Sequence, residues 1–386
     1  MAATPLFKAI HAAQPYASAT SRGVETVARF SDPAREFAAL RDSCGIYDLG
    51  FRVRFTLTGQ DRVRWLNGMV TNNVRDLAVG FGVYAFLLNP QGHILGDMHV
   101  FQRGEDLVIE TDRNQVEKIR ATFDHYIIMD DVTPADLDDR QTTIGVMGPG
   151  SREILKAAGI DVPELKPLQL FTARCQCDCA CVDCTIVRGD DPAEESYEIW
   201  VDSSAAEKTW QTLIAHGATP VGSEALEIRR VASGIPLYGV DIRERDLPQE
   251  TEQARALNFN KGCYVGQEIV ERIRSRGNVH RKFTGFVLED SPSMTPGAKM
   301  APGAKIAPGA KILSGEGASV KPVGEVTSVA VLPGPIPRTI ALGYIRREVA
   351  TPGREVTIDS APAKVASLPL QLANAAASED AVLHKV

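Results

Sequence analysis

Nowhere in the 386 residues does an apolar run reach the about 18 residues that a membrane-spanning helix needs, so no membrane is expected as a partner. Residues 1–24 lack the continuous apolar core of a secretory signal, which favours a cytoplasmic protein. They also lack acidic residues, and with Lys8 and Arg22 that leaves a transit peptide as the alternative. Excess positive charge is missing too: 42 Lys and Arg face 49 Asp and Glu, a net charge of −7. No global field draws in nucleic acid, and a polyanion would need a local patch. A secreted disulfide framework is absent, because the seven cysteines are odd in number and five crowd between 175 and 184, which suits free thiols or metal ligands. What is present is an average globular composition, 44% hydrophobic and 24% charged, which excludes disorder, collagen and coiled coil. The length predicts two to three domains with sizeable cores.

Asp32-Pro33 followed by Phe37, Leu40 and Cys44 predicts a helix ending at Gly45. A strand from Phe55 to Gly59 precedes a helical face of Val63, Leu66 and Val70. Residues 83–88, 93–101 and 107–111 read as an antiparallel meander, punctuated by Asn89-Pro90-Gln91-Gly92 and Arg103-Gly104-Glu105-Asp106. Asp112 is expected to cap a covering helix with Val116, Ile119, Phe123 and Tyr126 on one stripe. The grammar returns after Ile144. A short helix opens at Ser151, strands follow near 180–188 and 197–201, and Ser204-x-x-Glu207 reads as a capping box before Trp210 and Leu213. Two related α+β halves result. A helix follows over 223–234, and beyond the segment 261–266 the alternation of Arg272, Arg274 and Arg276 predicts a strand.

From Phe283 short β-rich runs alternate with Pro and Gly, predicting a separate all-β barrel or sandwich with its boundary near 280. Within it Pro-Gly-Ala-Lys recurs from Pro296, Pro302 and Pro308, a duplicated loop rather than a solenoid. The expected organisation is an extension over 1–24, an α+β region over 25–279, a barrel over 280–370 and a fraying Ala-rich tail over 371–386.

The sharpest string is Lys261-Gly262-Cys263-Tyr264-Val265-Gly266-Gln267-Glu268. Its glycines permit positive φ and could present the thiol on a tight loop. Lys261, Arg272, Arg274, Arg276, Arg281 and Lys282 against Glu268 and Glu271 would favour a thiolate at Cys263. The alternative is a small buried cysteine beside a solvated, Arg-bearing edge strand.

This octapeptide resembles the signature of the YgfZ-type folate-binding proteins, relatives of the glycine-cleavage T-protein that help maintain iron-sulfur enzymes. Tyr47-Asp48-Leu49, Thr58 to Arg62, Val70 to Asn73, Leu88 to Gly92, Gly234 to Gly239, Pro248-Gln249-Glu250, Gly324 to Ser328 and Ala341 to Tyr344 are similar to the same superfamily. The resemblance covers about 25–370. It implies two intertwined T-protein-like α+β subdomains around a central folate channel, followed by a β-barrel, with tetrahydrofolate or a one-carbon derivative as cofactor. Asp97 inherits the role of the second Asp of the family's Gly-Gly-x-x-Asp-Asp segment, near the reactive folate nitrogen; the first is Gly96 here. Arg230, Tyr238 and Gln267 are further candidate cofactor contacts. Three departures set this chain apart from the T-protein: its pterin-contacting Glu is Ala232, its Asn after the third meander strand is Glu110, and its Tyr-Thr-Gly-Glu-x-Gly-Phe-Glu run is a loose match ending Tyr197-Glu198.

A carboxylate on a strand facing a ligand could orient a pteridine or assist proton transfer. Cys175, Cys177, Cys179, Cys181 and Cys184 alternate, so on a straight strand their thiols stand roughly 6.6 Å apart, too far to share one tetrahedral ion, and no metal is expected. His93 and His99 flank Asp97 and could join a site, or be simply hydrogen-bonded. The leading expectation is a folate-binding accessory factor that serves iron-sulfur proteins or assembly factors through Cys263. The alternative is a tetrahydrofolate-dependent aminomethyl- or methyltransferase in which Asp97 acts on the folate and Cys263 is incidental. An RNA-binding module using the basic stretch 272–282 is a third, which the net charge weighs against.

Overall fold

The structure is a computed structural model that describes residues 3–13, 16–135, 140–175, 182–191, 193–277, 279–288, 306–315 and 320–370. The chain divides into two compact units, residues 1–229 with 242–279, and residues 230–241 with 280–386.

The first unit is built on two sheets. In the five-stranded one the meander Gly82–Leu88, Ile94–Gln102 and Leu107–Asp112 continues into Arg52–Thr58 and the short Thr133–Pro134. Strict alternation gives this sheet two unlike faces. Val53, Phe55, Leu57, Ala85, Leu87, Met98, Val100, Leu107 and Ile109 form one, buried under Trp65 and Leu66 of the helix Arg62–Met69 and Ile119 and Phe123 of the helix Val116–Tyr126. The other carries Tyr84, Asp97, His99, Glu110 and Arg54, with Tyr84 opposite His99, His99 opposite Glu110 and Glu110 opposite Arg54. The six-stranded sheet runs Leu170–Cys175, Val182–Arg188, Ser196–Asp202, Gln141–Met147, Gly45–Asp48 and Thr219–Val221. Its apolar face, including Ile46, Ile144, Val146, Ile186 and Ile199, packs beneath Trp210 and Leu213 of the helix Ala206–Ala215. The remaining faces meet where Phe101 and Val108 touch Val187 and Trp200. Charged residues on the facing surfaces therefore lie inside the unit.

The second unit is a closed barrel of Arg281–Leu288, Arg338–Arg346, Lys321–Leu332, Lys311–Ser314, Glu355–Ile358 and Ala361–Ala366, filled by Phe286, Ile312, Val326, Ile345 and Ile358. The α+β class with a closed six-stranded C-terminal barrel agrees with the reading from sequence. Among the described residues no helix is long and apolar enough to cross a membrane.

Three local expectations need correction. The run with Arg272, Arg274 and Arg276 is a helix, Gln267–Arg276, set between the left-handed Gly266 and Gly277. The two-residue spacing of arginines imitates a strand, but Ile269, Val270 and Ile273 follow helical spacing, and Glu271 pairs with Arg274 one turn on at 3.6 Å. Asp112 caps nothing; it accepts two hydrogen bonds from the Arg22 guanidinium at 3.1 and 3.2 Å. Ser204 makes no capping box, because its hydroxyl donates to Asp202 and the helix begins at Ala206. Cys177, Cys179 and Cys181 and the first two Pro-Gly-Ala-Lys copies lie outside the described residues. Cys184 is buried in the core beside Ile186. The third copy turns at the left-handed Gly309 into the strand Lys311–Ser314.

Candidate functional site

Asp97 sits on the polar face of the meander, held at four points. The Tyr84 hydroxyl donates to its Oδ2 at 2.6 Å and the Gln115 amide to its Oδ1 at 2.8 Å. Its own N–H donates to Gln115 Oε1 at 3.0 Å, and the Thr111 hydroxyl donates to its carbonyl at 2.8 Å. A Cβ at Gly96 would come within 3.2 Å of that Gln115 oxygen, so the glycine leaves the amide room to reach the carboxylate. Burial and the adjacent Asp97 carboxylate push the Tyr84 phenol well above its ordinary value, so Tyr84 remains a donor.

Around this core lies a set of charged residues, of which Arg54 and Glu110 are buried and Arg255 is exposed. The Arg255 guanidinium stacks 4.6 Å over the Tyr84 ring and pairs with Asp190. His99 lies 3.9 Å from Asp190 and 3.8 Å from Glu110, and burial pushes its imidazole down to about 4. Glu110, where the T-protein pattern has Asn, is locked by Arg54 at 3.0 Å and Arg52 at 3.3 Å, and Arg52 also pairs with Glu198. A carboxylate clamped by two guanidiniums has its lone pairs occupied and is a scaffold rather than a ligand contact. Two polar atoms of the strand Ser196–Asp202, in the six-stranded sheet, remain without a hydrogen-bond partner although buried: Glu198 Oε2, an acceptor, and Trp200 Nε1, a donor. Such atoms carry a desolvation cost that a polar ligand would relieve. Burial raises the Glu198 carboxyl against the opposing pull of Arg52.

The octapeptide is placed differently from its sequence reading. Lys261 is buried, and its ammonium donates to the carbonyls of Asn67, Val70 and Asn72, so it is not turned to a thiolate. Cys263 and Gly262 are exposed; a Cβ at Gly262 would meet nothing within 4 Å. Among the described residues no hydrogen bond links Cys263 to the Asp97 set. Tyr264 is buried under the Lys261 ammonium, Gly266 takes a φ of +81°, half-buried Gln267 opens the helix, and Glu268 is exposed.

Arg230 and Tyr238 belong to the barrel unit. The Arg230 guanidinium donates to Asp241 and to the Ile235 carbonyl at 2.6 Å each and to Ser328 at 2.7 Å, a buried structural network, and Tyr238 is buried. His93 is half-buried, its Nδ1 3.0 Å from the Arg245 carbonyl. Among the described residues no group of three or more His, Cys, Asp or Glu is arranged to hold a metal. Sequence reasoning selected Asp97 and missed Tyr84, Gln115 and Arg255. For Tyr84 the signal was available: it stands on the same strand face as Asp97, one strand away.

A fold of two sheets with an attached barrel, carrying a carboxylate braced on its meander, defines the class of protein. The family model for the GCVT N-terminal domain matches residues 7–261, and the chain belongs to that family. It is 28% identical over 364 residues to an aminomethyltransferase of Rippkaea orientalis, covering 92% of each chain. An aminomethyltransferase of Halothermothrix orenii is 26% identical over 365 residues, with 93% and 95% covered. Among solved structures, aminomethyltransferase T of the glycine cleavage system from Bartonella henselae has the same fold, with a TM-score of 0.80 at 21% identity and coverage of 95% and 97%. The family uses tetrahydrofolate as substrate or cofactor, in agreement with the reduced folate expected from sequence. The iron-sulfur reading is overturned: relatives matching over nine-tenths of both chains are aminomethyltransferases, and nothing supports iron-sulfur partners.

Proposed function

We propose that the chain is a tetrahydrofolate-dependent transferase of a one-carbon unit, of the aminomethyltransferase type. The observation that carries this reading is the Asp97 carboxylate, braced by Tyr84 and Gln115 and set on a buried polar face. A reduced folate supplies the nitrogen that takes or gives the one-carbon unit. Asp97, held in one orientation, accepts a hydrogen bond from that nitrogen's N–H or receives its proton. Tyr84 and Gln115 fix the direction of the carboxylate lone pairs, and Arg255 keeps the Tyr84 ring in place. The residues fit a pteridine because its edge alternates donors and acceptors, and Glu198 Oε2 and Trp200 Nε1 offer one unpaired acceptor and one unpaired donor. The octapeptide's likeness to the YgfZ-type branch is kept as a proposal about lineage, without the iron-sulfur role.

The test is calorimetric titration with tetrahydrofolate, followed by incubation with aminomethyl thioethers and N-methyl amines and mass measurement of the folate. Binding below millimolar concentration and a folate heavier by one carbon are expected. Absence of both, with intact protein, ends the reading.

A further inference from the structure

We propose that Lys261 is a positioning residue: from the end of the helix Arg62–Met69 its ammonium holds the Thr71-Asn72 turn, and through that turn it sets Tyr84 and Arg255 against Asp97. The proposal rests on the reading of Asp97 as the folate-facing group.

The last carbonyls of a helix have no partner within it. Here Lys261 supplies one, its three ammonium protons matching three carbonyls: Asn67 and Val70 at 2.5 Å each and Asn72 at 2.7 Å. The Val265 N–H adds a fourth bond, to the Gly68 carbonyl at 3.1 Å. No carboxylate pairs with Lys261 among the described residues. Burial, with Arg75 near, pushes it down to about 7, while the carbonyls and the helix dipole favour the charged form. A buried ammonium with no carboxylate partner is a costly way merely to fill space, which a Met or Leu would do without burying a charge, so its three carbonyl bonds are the reason for its presence.

The turn it holds is a junction. The Asn72 amide donates to the carbonyls of Tyr84 and of Arg255, both at 2.8 Å. The Thr71 hydroxyl donates to the Ala256 carbonyl at 2.6 Å and accepts the Phe86 N–H at 2.9 Å. The same two residues thus tie the strand of Tyr84 to the segment of Arg255, whose guanidinium covers the Tyr84 ring and whose tyrosine partner holds Asp97. Without the ammonium three carbonyls are left unsatisfied in a buried turn, and the turn shifts to find water. Tyr84 and Arg255 shift with it.

The experiment compares wild type, Lys261→Met, Lys261→Arg, Asn72→Ala and the double variant Lys261→Met/Asn72→Ala. In ligand-free protein, hydrogen exchange at the Phe86 amide should accelerate about tenfold in Lys261→Met while that of Val100 stays constant. The tetrahydrofolate Kd should rise about tenfold, as loss of one net hydrogen bond brings. Adding Lys261→Met to Asn72→Ala should cost little more, because both act on one turn. Lys261→Arg, which keeps the charge and donors, should recover part of the affinity and serves if Lys261→Met fails to fold. Unchanged Phe86 exchange, or an unchanged Kd in a folded Lys261→Met, or additive losses, would show that Lys261 only caps the helix. If wild type itself binds no tetrahydrofolate, the proposed function fails, and the exchange measurement still decides the clamp.

Discussion

Gly92 and Gly266 meet backbone to backbone. A Cβ at Gly266 would come within 2.6 Å of the Asn89 carbonyl and 3.1 Å of the Gly92 Cα, and one at Gly92 within 2.8 Å of the Ile269 Cβ. The meander turn that leads into the strand of Asp97 is thereby seated on the start of the helix Gln267–Arg276. Both glycines are left-handed, at φ +78° and +81°, so substitution combines backbone strain with a collision. Gly266→Ala is expected to lose roughly 2–4 kcal/mol in urea denaturation. Gly262→Ala, with open space around its Cβ, should lose almost nothing. Equal losses at the two positions would refute this packing.

Asp97→Asn keeps the shape and removes the charge. If the carboxylate orients or deprotonates the reacting nitrogen, kcat should fall by about 10²- to 10⁴-fold, the usual contribution of a positioned acid or base. Tyr84→Phe removes a single brace and should cost less, about tenfold. A steady-state transfer assay on both variants decides, and an Asp97→Asn enzyme at wild-type rate would exclude Asp97 from the chemistry.

Cys263→Ser should leave transfer activity within about twofold and the melting temperature unchanged, since the thiol is exposed and outside the Asp97 set. Surface substitutions of this kind usually stay within about 0.5 kcal/mol. A loss of activity above tenfold would bring the loop cysteine into the reaction.

His99 makes stability fall in acid. Its imidazole is pushed down to about 4, first by burial and then by Arg52, so between pH 6.5 and 4 the unfolded chain binds a proton that the folded chain refuses. The corresponding stability is present above pH 6.5 and lost as the pH falls towards 4, roughly 3 kcal/mol at full extent. His99→Gln should flatten the decline of the urea midpoint between pH 7 and 4.5. A variant with the same decline as wild type would assign it to other groups.

In the barrel unit, Arg230→Met should destabilise by about 3–5 kcal/mol by stranding the buried Asp241 carboxylate. Urea denaturation of the full chain measures it, and a loss under 1 kcal/mol would mean that Thr327, Ser328 and the Leu237 N–H satisfy Asp241 without the guanidinium.

The sequence by itself determined what short-range physics encodes. Alternation and the turn at Asn89 to Gly92 placed the meander, the stripe Val116, Ile119 and Phe123 placed its covering helix, and the Pro- and Gly-broken β runs after Phe283 announced the barrel. Asp97 was legible through its resemblance to a family motif. Where two periods compete, as in the arginines of 272–276, or where a capping residue has another partner, as at Asp112, the local signal misled. Only the tertiary structure decided the company that Asp97 keeps. Gln115 reaches it from 18 residues away, Arg255 reaches Tyr84 across the fold, and Lys261 caps carbonyls up to 194 residues earlier. Hydrogen bonds and ion pairs depend on positions within a few tenths of an ångström, and those are set when the two sheets close on each other, not by any neighbouring residue in the chain.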